Sequence, residues 1–338
     1  MTSLDTDDVK AADYLLVCSQ LSESLEFYTG QLGFRLEAIY PADNPRVVNL
    51  SGYGIRVCLK QLSTCGDAPP PSDPSIIVQK SKANSWGEGR AGMQYRDLVP
   101  ARRGGRYIAS HIRIPIGGPV ADYVHHHHVR FQMIYCYKGW VRVVYEDQGE
   151  PFIMHPGDCV LQPPHIRHRV LESSDGMEVI EIACPAEHET LVDHELELPT
   201  TTVNRNRQYA RQRFVFHQLK EASWVEGPGR CFETREIGIA RATDQLASAV
   251  VLRSSGPGLT ASLRHDAEFF FNFVLSGSSR LQTPAQGSYR VGPADCFVIP
   301  ADDPFVLSEI SPDFELLQLT LPGTAKLFVH SDDEPRVS

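Results

Sequence analysis

The stretch His125-His126-His127-His128-Val129-Arg130-Phe131-Gln132, continuing to Gly139, decides how this chain is read. It is internal and flanked by strand-forming sequence, so the histidines belong to the fold. Alternate residues of a strand share a face. On that rule His126, His128 and Gln132 are expected to point together into the interior of a β-structure. The alternative register, His125 with His127, sets Gln132 on the opposite face. Further along, Gly157-x5-Pro163-x-His165-x2-His168 supplies one more imidazole, His168, from a different strand. Three imidazoles and an amide oxygen around one point suit a divalent transition ion, so His126, His128, Gln132 and His168 are the expected metal ligands.

The surrounding sequence is a series of short apolar runs punctuated by glycine and proline, the signature of an all-β barrel or sandwich. Strands are expected at 107–115, 132–138, 141–145, 158–162, 168–171 and 177–182, and again at 249–252, 269–275, 288–291, 295–299 and 314–319. The second series repeats the first. Asp295-Cys-Phe-Val-Ile-Pro300 follows the pattern of Asp158-Cys-Val-Leu-Gln-Pro163, and Gly277 falls where Gly139 does.

The two histidine segments resemble the cupin superfamily, whose motifs read G-x5-H-x-H-x3-E-x6-G and G-x5-P-x-G-x2-H-x3-N, and the repeat resembles a bicupin. The resemblance implies a mainly β protein with two cupin-type barrels and metal ligands at His126, His128 and His168. Gln132 stands where the family usually has Glu, His165 where it has Gly, and Glu172 where it has Asn, and Gly118 comes two residues early. In the second copy the expected counterparts of His126, His128, Gln132 and His168 are Arg264, Asp266, Phe270 and Phe305. Phenylalanine cannot bind a metal, so one divalent ion per chain is expected: Fe(II) by preference, with Ni, Mn, Zn or Cu as alternatives.

Residues 1–62 read differently. A strand at Tyr14–Cys18, a helix capped by Ser22 and running to Gly30 with Leu25, Phe27 and Tyr28 inward, and three strands up to Lys60 give the order βαβββ. With Leu21-Ser-Glu-Ser-Leu-Glu-Phe-Tyr-Thr-Gly-Gln-Leu-Gly-Phe34, this resembles one module of the glyoxalase/bleomycin-resistance (vicinal oxygen chelate) family. Asp13 stands where that family commonly has a metal-binding His, and no Glu closes the last strand. A lone module leaves a sheet edge, so a homodimer formed by pairing between chains is expected. The expected organisation is a module at 1–62, a Pro/Gly-rich linker at 63–105, a metal-binding barrel at 106–200 and a degenerate barrel at 201–338.

The whole chain has 338 residues and a formal charge of −10, which gives neither a nucleic acid nor an anionic membrane any electrostatic attraction. It holds no long apolar run, and its first ten residues are acidic and polar, unlike a secretory signal. Eight cysteines are scattered singly without a C-x-x-C pair, which fits a reducing cytoplasm.

Around the expected centre, His111 and Arg113 sit two apart on the entering strand, where Arg113 is expected to hold a substrate carboxylate. Arg130 and Gln162 are further substrate-binding candidates, and His165 a candidate acid or base. The leading expectation is a mononuclear Fe(II) dioxygenase of a small polar metabolite, aromatic or carboxylated. The alternatives are a metal Lewis-acid isomerase, lyase or hydrolase, and a non-catalytic small-molecule-binding bicupin.

Overall fold

The computed structural model describes residues 13–41, 43–62, 75–81, 86–228, 231–256, 260, 262–284 and 286–329. Strand Phe131–Lys138 shows why this sequence builds two barrels back to back. Phe131, Met133 and Tyr135 belong to the largest buried cluster, shared with Phe269, Phe271 and Phe273 of the C-terminal half. Gln132 and Ile134, on the alternate face, line the interior of the first barrel. A strand buried on both faces reads as a nearly continuous apolar run, as this one does.

In the first barrel, strands Ile108–Ile114, Met177–Cys184, Phe131–Lys138 and Cys159–Leu161 form one sheet. Strands His125–His127, His168–Ser173, Val141–Tyr145 and Phe152–Met154 form the facing one. The second barrel repeats this plan with Ser248–Ser254, Glu315–Leu321, Phe269–Ser276 and Cys296–Val298, facing Ser279–Thr283, Gly287–Val291 and Val306–Ser308. The repeated turn glycines have the same physical cause. Gly139 (φ +66°) and Gly277 (φ +64°) adopt left-handed backbone. A Cβ there would run into Ser174 and Met177 in one barrel, and into Ser311 and Phe314 in the other.

Stretches of the expected linker pair with the barrels. Residues 63–74 lie outside the described residues, but Ile77–Gln79 pairs with Cys296–Val298 of the second barrel. Gln94–Asp97 pairs with Ile108–Ile114 of the first. The second repeat does the reverse: Val215–His217 pairs with Cys159–Leu161 of the first barrel. Each barrel therefore lends a strand to the other. Strands Gln94–Asp97 and Val215–His217 are too short to show the alternation that marks longer ones.

Two fully buried arginines lock the exchange. Arg96 donates to the Ala294 carbonyl (2.7 Å) and pairs with His111 Nδ1 (2.9 Å). Arg235 donates to the Gly157 carbonyl (2.9 Å) and to Tyr135 (3.2 Å), and pairs with His217. Each guanidinium from one barrel satisfies the turn of the other. Removing either would orphan a buried carbonyl.

The N-terminal segment has the expected βαβββ order. Its helix spans Leu21–Glu26 and continues as a wider turn through Gln31, and Phe27 points outward, 43% exposed, contrary to expectation. Its sheet does not end in an open edge on both sides. Arg35–Tyr40 pairs with Thr190–Val192, which in turn pairs with His125–His127, so the module extends the first barrel's sheet beside the histidine run. The other edge, Asp13–Cys18, runs parallel to Ile55–Gln61 and exposes Tyr14, Leu15, Leu16 and Val17. Among the described residues no disulfide links the cysteines, and no helix is long and apolar enough to cross a membrane.

Candidate metal centre

The histidine run is a single short strand, and its alternation sorts four rings into two groups. His125 and His127 are buried and meet His168, which lies directly opposite His125 on the neighbouring strand. One nitrogen from each of these three rings lies within 4.8 Å of the others. His126 and His128 point to the outer face, where they meet His165 in a second group of the same spacing.

The buried group has the anchoring that imidazole ligands need. His125 Nδ1 lies 2.8 Å from the Tyr123 carbonyl, and His168 Nδ1 lies 3.0 Å from that of Ile166. A carbonyl only accepts, so Nδ1 carries the proton and Nε2 the lone pair. His127 Nδ1 is held at 2.8 Å by the Thr190 hydroxyl, from the strand that bridges to the N-terminal module. Three rings fixed through Nδ1 offer Nε2 to a common cation, the arrangement that orients metal-binding histidines generally. The donor set fits a divalent transition ion.

Gln132 is 2% exposed and enters the same cavity from the opposite sheet. Its amide Nε2 donates to Glu181 Oε1 at 2.9 Å, so the amide oxygen is what it can present to a cation. His188 also lines the cavity, its ring 5.5 Å from that of His127 and its Nδ1 bonded to the Pro185 carbonyl. Most of the other lining residues are apolar, Ile108, Ile112, Ile134, Val143, Tyr145, Met154 and Val179 among them, with Asp43, Ser110 and Gln162 as polar exceptions, around a cavity of about 80 Å³. Burial raises the Tyr145 hydroxyl far above its ordinary value, so this ring, stacked on His168, stays neutral.

The structure thus brings His168 and Gln132 together as expected, but with His125 and His127 in place of His126 and His128. The parity argument fails at one point. The histidines lie in one sheet and Gln132 in the facing one, and the chain bends at Arg130 between them. Alternation is not conserved across that bend, so neither register of the run predicts the side on which Gln132 falls.

Of the other candidates, Gln162 lines the cavity. His111 and Arg113 share a face as expected, but it is the outer face of the barrel. His111 is buried there against Phe273 of the second barrel and bonded to Arg96 and to Glu178 (2.7 Å), while Arg113 donates to Gln94 and covers Trp86. Burial, opposed by the Glu178 hydrogen bond, lowers the His111 pKa. Arg130 is exposed at the bend. His165 is exposed outside the cavity, with its ring 4.9 Å from that of His128. Glu181 and His188 were missed by sequence reading. The pairing of Glu181 with Ile134 across two long strands places it, and no local motif signals that.

In the second barrel the counterparts shift by one residue from expectation. Leu263 is bridged to Phe305 as His125 is to His168. The corresponding inward positions are therefore Leu263, His265, Phe270 and Phe305, and Gln318, paired with Asn272, stands where Glu181 pairs with Ile134. Leu263, Phe270 and Phe305 join an apolar cluster, and a cavity of about 120 Å³ lined by His265, Phe270 and Gln318 lies beside it. His265 survives, bonded through Nε2 to the Ile299 carbonyl and stacked on Phe270. Burial pushes its pKa down to about 4.

Residues 110–182 match the family model described as "Cupin domain". Both barrels have the cupin fold. Three structures of Bacillus subtilis oxalate decarboxylase superimpose along both barrels, each covering 79% of this chain and 80% of its own. They are a serine-to-alanine variant (13% identity, TM-score 0.55), a tryptophan-to-phenylalanine variant (12%, 0.56) and one described through its Mn(II) centers (13%, 0.55). No curated protein matches the chain by sequence.

Proposed function

We propose that the first barrel is a mononuclear metal enzyme in which His125, His127 and His168, with the amide oxygen of Gln132, hold one divalent ion. The observation that carries this reading is the set of three imidazoles, each fixed through Nδ1, two of which line a mostly apolar cavity. All four donors are neutral. An ion held by them keeps its full positive charge and acts as a strong Lewis acid toward an anionic oxygen donor.

The chain's own residues then select the substrate. Ile108, Ile112, Val143 and Met154 exclude water and favour a small, largely apolar or aromatic body carrying oxygen donors. Among the described residues no arginine lines this cavity, so a carboxylate finds its partner at the metal end rather than on Arg113. Gln162 and His188 provide polar contacts at its wall. Fe(II)-dependent dioxygenation is the reading we favour, with iron as the resident ion. A second reading rests on Glu181, whose carboxylate beside Gln132 can accept or return a proton in a non-oxidative reaction. The Mn(II) centers named for the oxalate decarboxylase make manganese the ion to compare in that case.

Reconstitution with Fe(II) or Mn(II), followed by oxygen-electrode screening of small aromatic and carboxylated metabolites, separates the two. Stoichiometric oxygen uptake with iron supports the first. Turnover without oxygen uptake that is lost in Glu181→Gln transfers the reading to the second. We also propose that the chain works as a cytoplasmic homodimer, with the exposed apolar strand Tyr14–Val17 as the contact. A monomer in sedimentation analysis would refute the dimer.

A further inference from the structure

We infer that the outer face of the histidine strand is a second metal site, in which His126, His128 and His165 hold a borderline divalent ion of the zinc class. The three rings lie close together, with centroids 5.9 Å apart for His126 and His128, 5.7 Å for His126 and His165, and 4.9 Å for His128 and His165. One nitrogen of each lies within 4.8 Å of the others, the same spacing as in the buried group. Imidazole is a preferred ligand for zinc, nickel and copper, and three imidazoles leave one tetrahedral position for water or a carboxylate.

A separate observation points to a ligand here. His126 Nδ1 is shielded from solvent and has no hydrogen-bond partner. A buried polar atom left unsatisfied is costly, and native structures rarely leave one without a bound water or ion. His128 is oriented by Glu189, whose carboxylate lies 3.1 Å from Nδ1, the kind of acidic neighbour that fixes a ligating ring and raises its basicity. Arg167, a nearby cation that opposes an ion, is engaged by Asp193 at 3.0 Å.

His165 is held where the site requires it. It occupies the left-handed region (φ +64°), and its backbone N–H donates to the His127 carbonyl at 3.3 Å. The turn that carries it runs on into His168. An outer ion therefore clamps that turn to the histidine strand, joining from outside the same two segments whose inward residues form the buried centre. One strand serves an ion on each face.

The test is zinc stoichiometry, by equilibrium dialysis of the full chain against Zn²⁺ and elemental analysis. Two ions per chain are expected. His128→Ala and His165→Gly, the latter chosen because glycine tolerates the left-handed backbone, should each leave one. Glu189→Gln should weaken the outer ion by about tenfold. His168→Ala should also leave one, now the outer. Circular dichroism of each apo variant checks that the fold is kept. Two ions surviving both outer substitutions would overturn the inference, as would a single ion that only His168→Ala removes. A single ion removed by His165→Gly but kept in His168→Ala would uphold the outer site and defeat the buried one.

Discussion

The two barrels share one plan, down to the turn glycines and the strand each lends its partner, and they differ at the positions that face inward. In the first, His125, His127, Gln132, His168 and Glu181 meet in a cavity. In the second, Leu263, His265, Phe270, Phe305 and Gln318 take those places, and Leu263, Phe270 and Phe305 pack into an apolar cluster beside a cavity lined by His265, Phe270 and Gln318. A barrel interior can be spent on packing or on chemistry. Polar groups that converge in an interior forgo apolar burial, so the histidine cluster of the first barrel comes at a cost in packing that the second barrel does not bear to the same extent. The shared back-to-back core, with Phe269, Phe271 and Phe273 against Phe131, Met133 and Tyr135, lets the second barrel support the first.

The largest effect that would break this contrast is on metal retention. His127→Ala should abolish binding at the buried centre, whereas His265→Ala, at the matching position, should leave metal content unchanged. Elemental analysis of the two variants decides it. Equal loss in both would mean that the second barrel also holds an ion. Next is the exchange at the matching pair. Phe305→His buries an imidazole among Leu263 and Phe270 and should destabilise the protein by about 2–4 kcal/mol in denaturant titration. His168→Phe, its mirror image, should cost less, because the added ring meets a cavity rather than a packed interior. Equal costs would show that the two interiors are equally tight.

Much of this plan is legible in the sequence, and the failures have specific causes. The repeat, the long strands and the turn glycines follow from apolar alternation and from Gly139 and Gly277, which local physics fixes. That the histidine run and His168 come together is also readable. Which histidines face inward is not, because His127 and Gln132 lie in facing sheets and the bend at Arg130 resets the alternation. Glu181 becomes visible only when strand Met177–Cys184 is paired with Phe131–Lys138. His111 and Arg113 share a face as read, yet an outer face buried by a second barrel has the same sequence pattern as an inner one. The short strand at 215–217 is set by its partner rather than by its own residues.

A smaller effect separates the barrels by pH. His265 is 1% exposed, and its pKa is pushed down to about 4 by burial. The unfolded chain takes up its proton near pH 6.5, before the folded one does. The unfolded state then holds more protons between those values, so stability rises with pH across that window and is lost as pH falls through it. From pH 7 to pH 5 this residue should account for about 2 kcal/mol of the loss. His265→Gln should remove that component, so wild type and variant should differ in melting temperature by less at pH 5 than at pH 7. Parallel curves would mean that His265 is not buried neutral.

The last and smallest effect concerns Gln132, whose amide is hydrogen-bonded to a carboxylate. Gln132→Glu sets a second carboxylate against Glu181, at a contact now 2.9 Å long. Two such groups cannot both ionise cheaply, so without metal the pair should keep one proton near neutrality. A divalent ion displaces that proton and gains an anionic ligand, which should tighten binding by about tenfold at high pH, equivalent to about 1.4 kcal/mol. The gain should shrink as pH falls and the pair holds its proton more firmly. Wild type, with a neutral amide, should show a shallower dependence. Manganese titrations of both proteins at pH 6 and pH 8 measure the difference. If affinity and slope are the same in both, Gln132 does not touch the ion, and the buried centre is a three-histidine site whose fourth position belongs to the substrate.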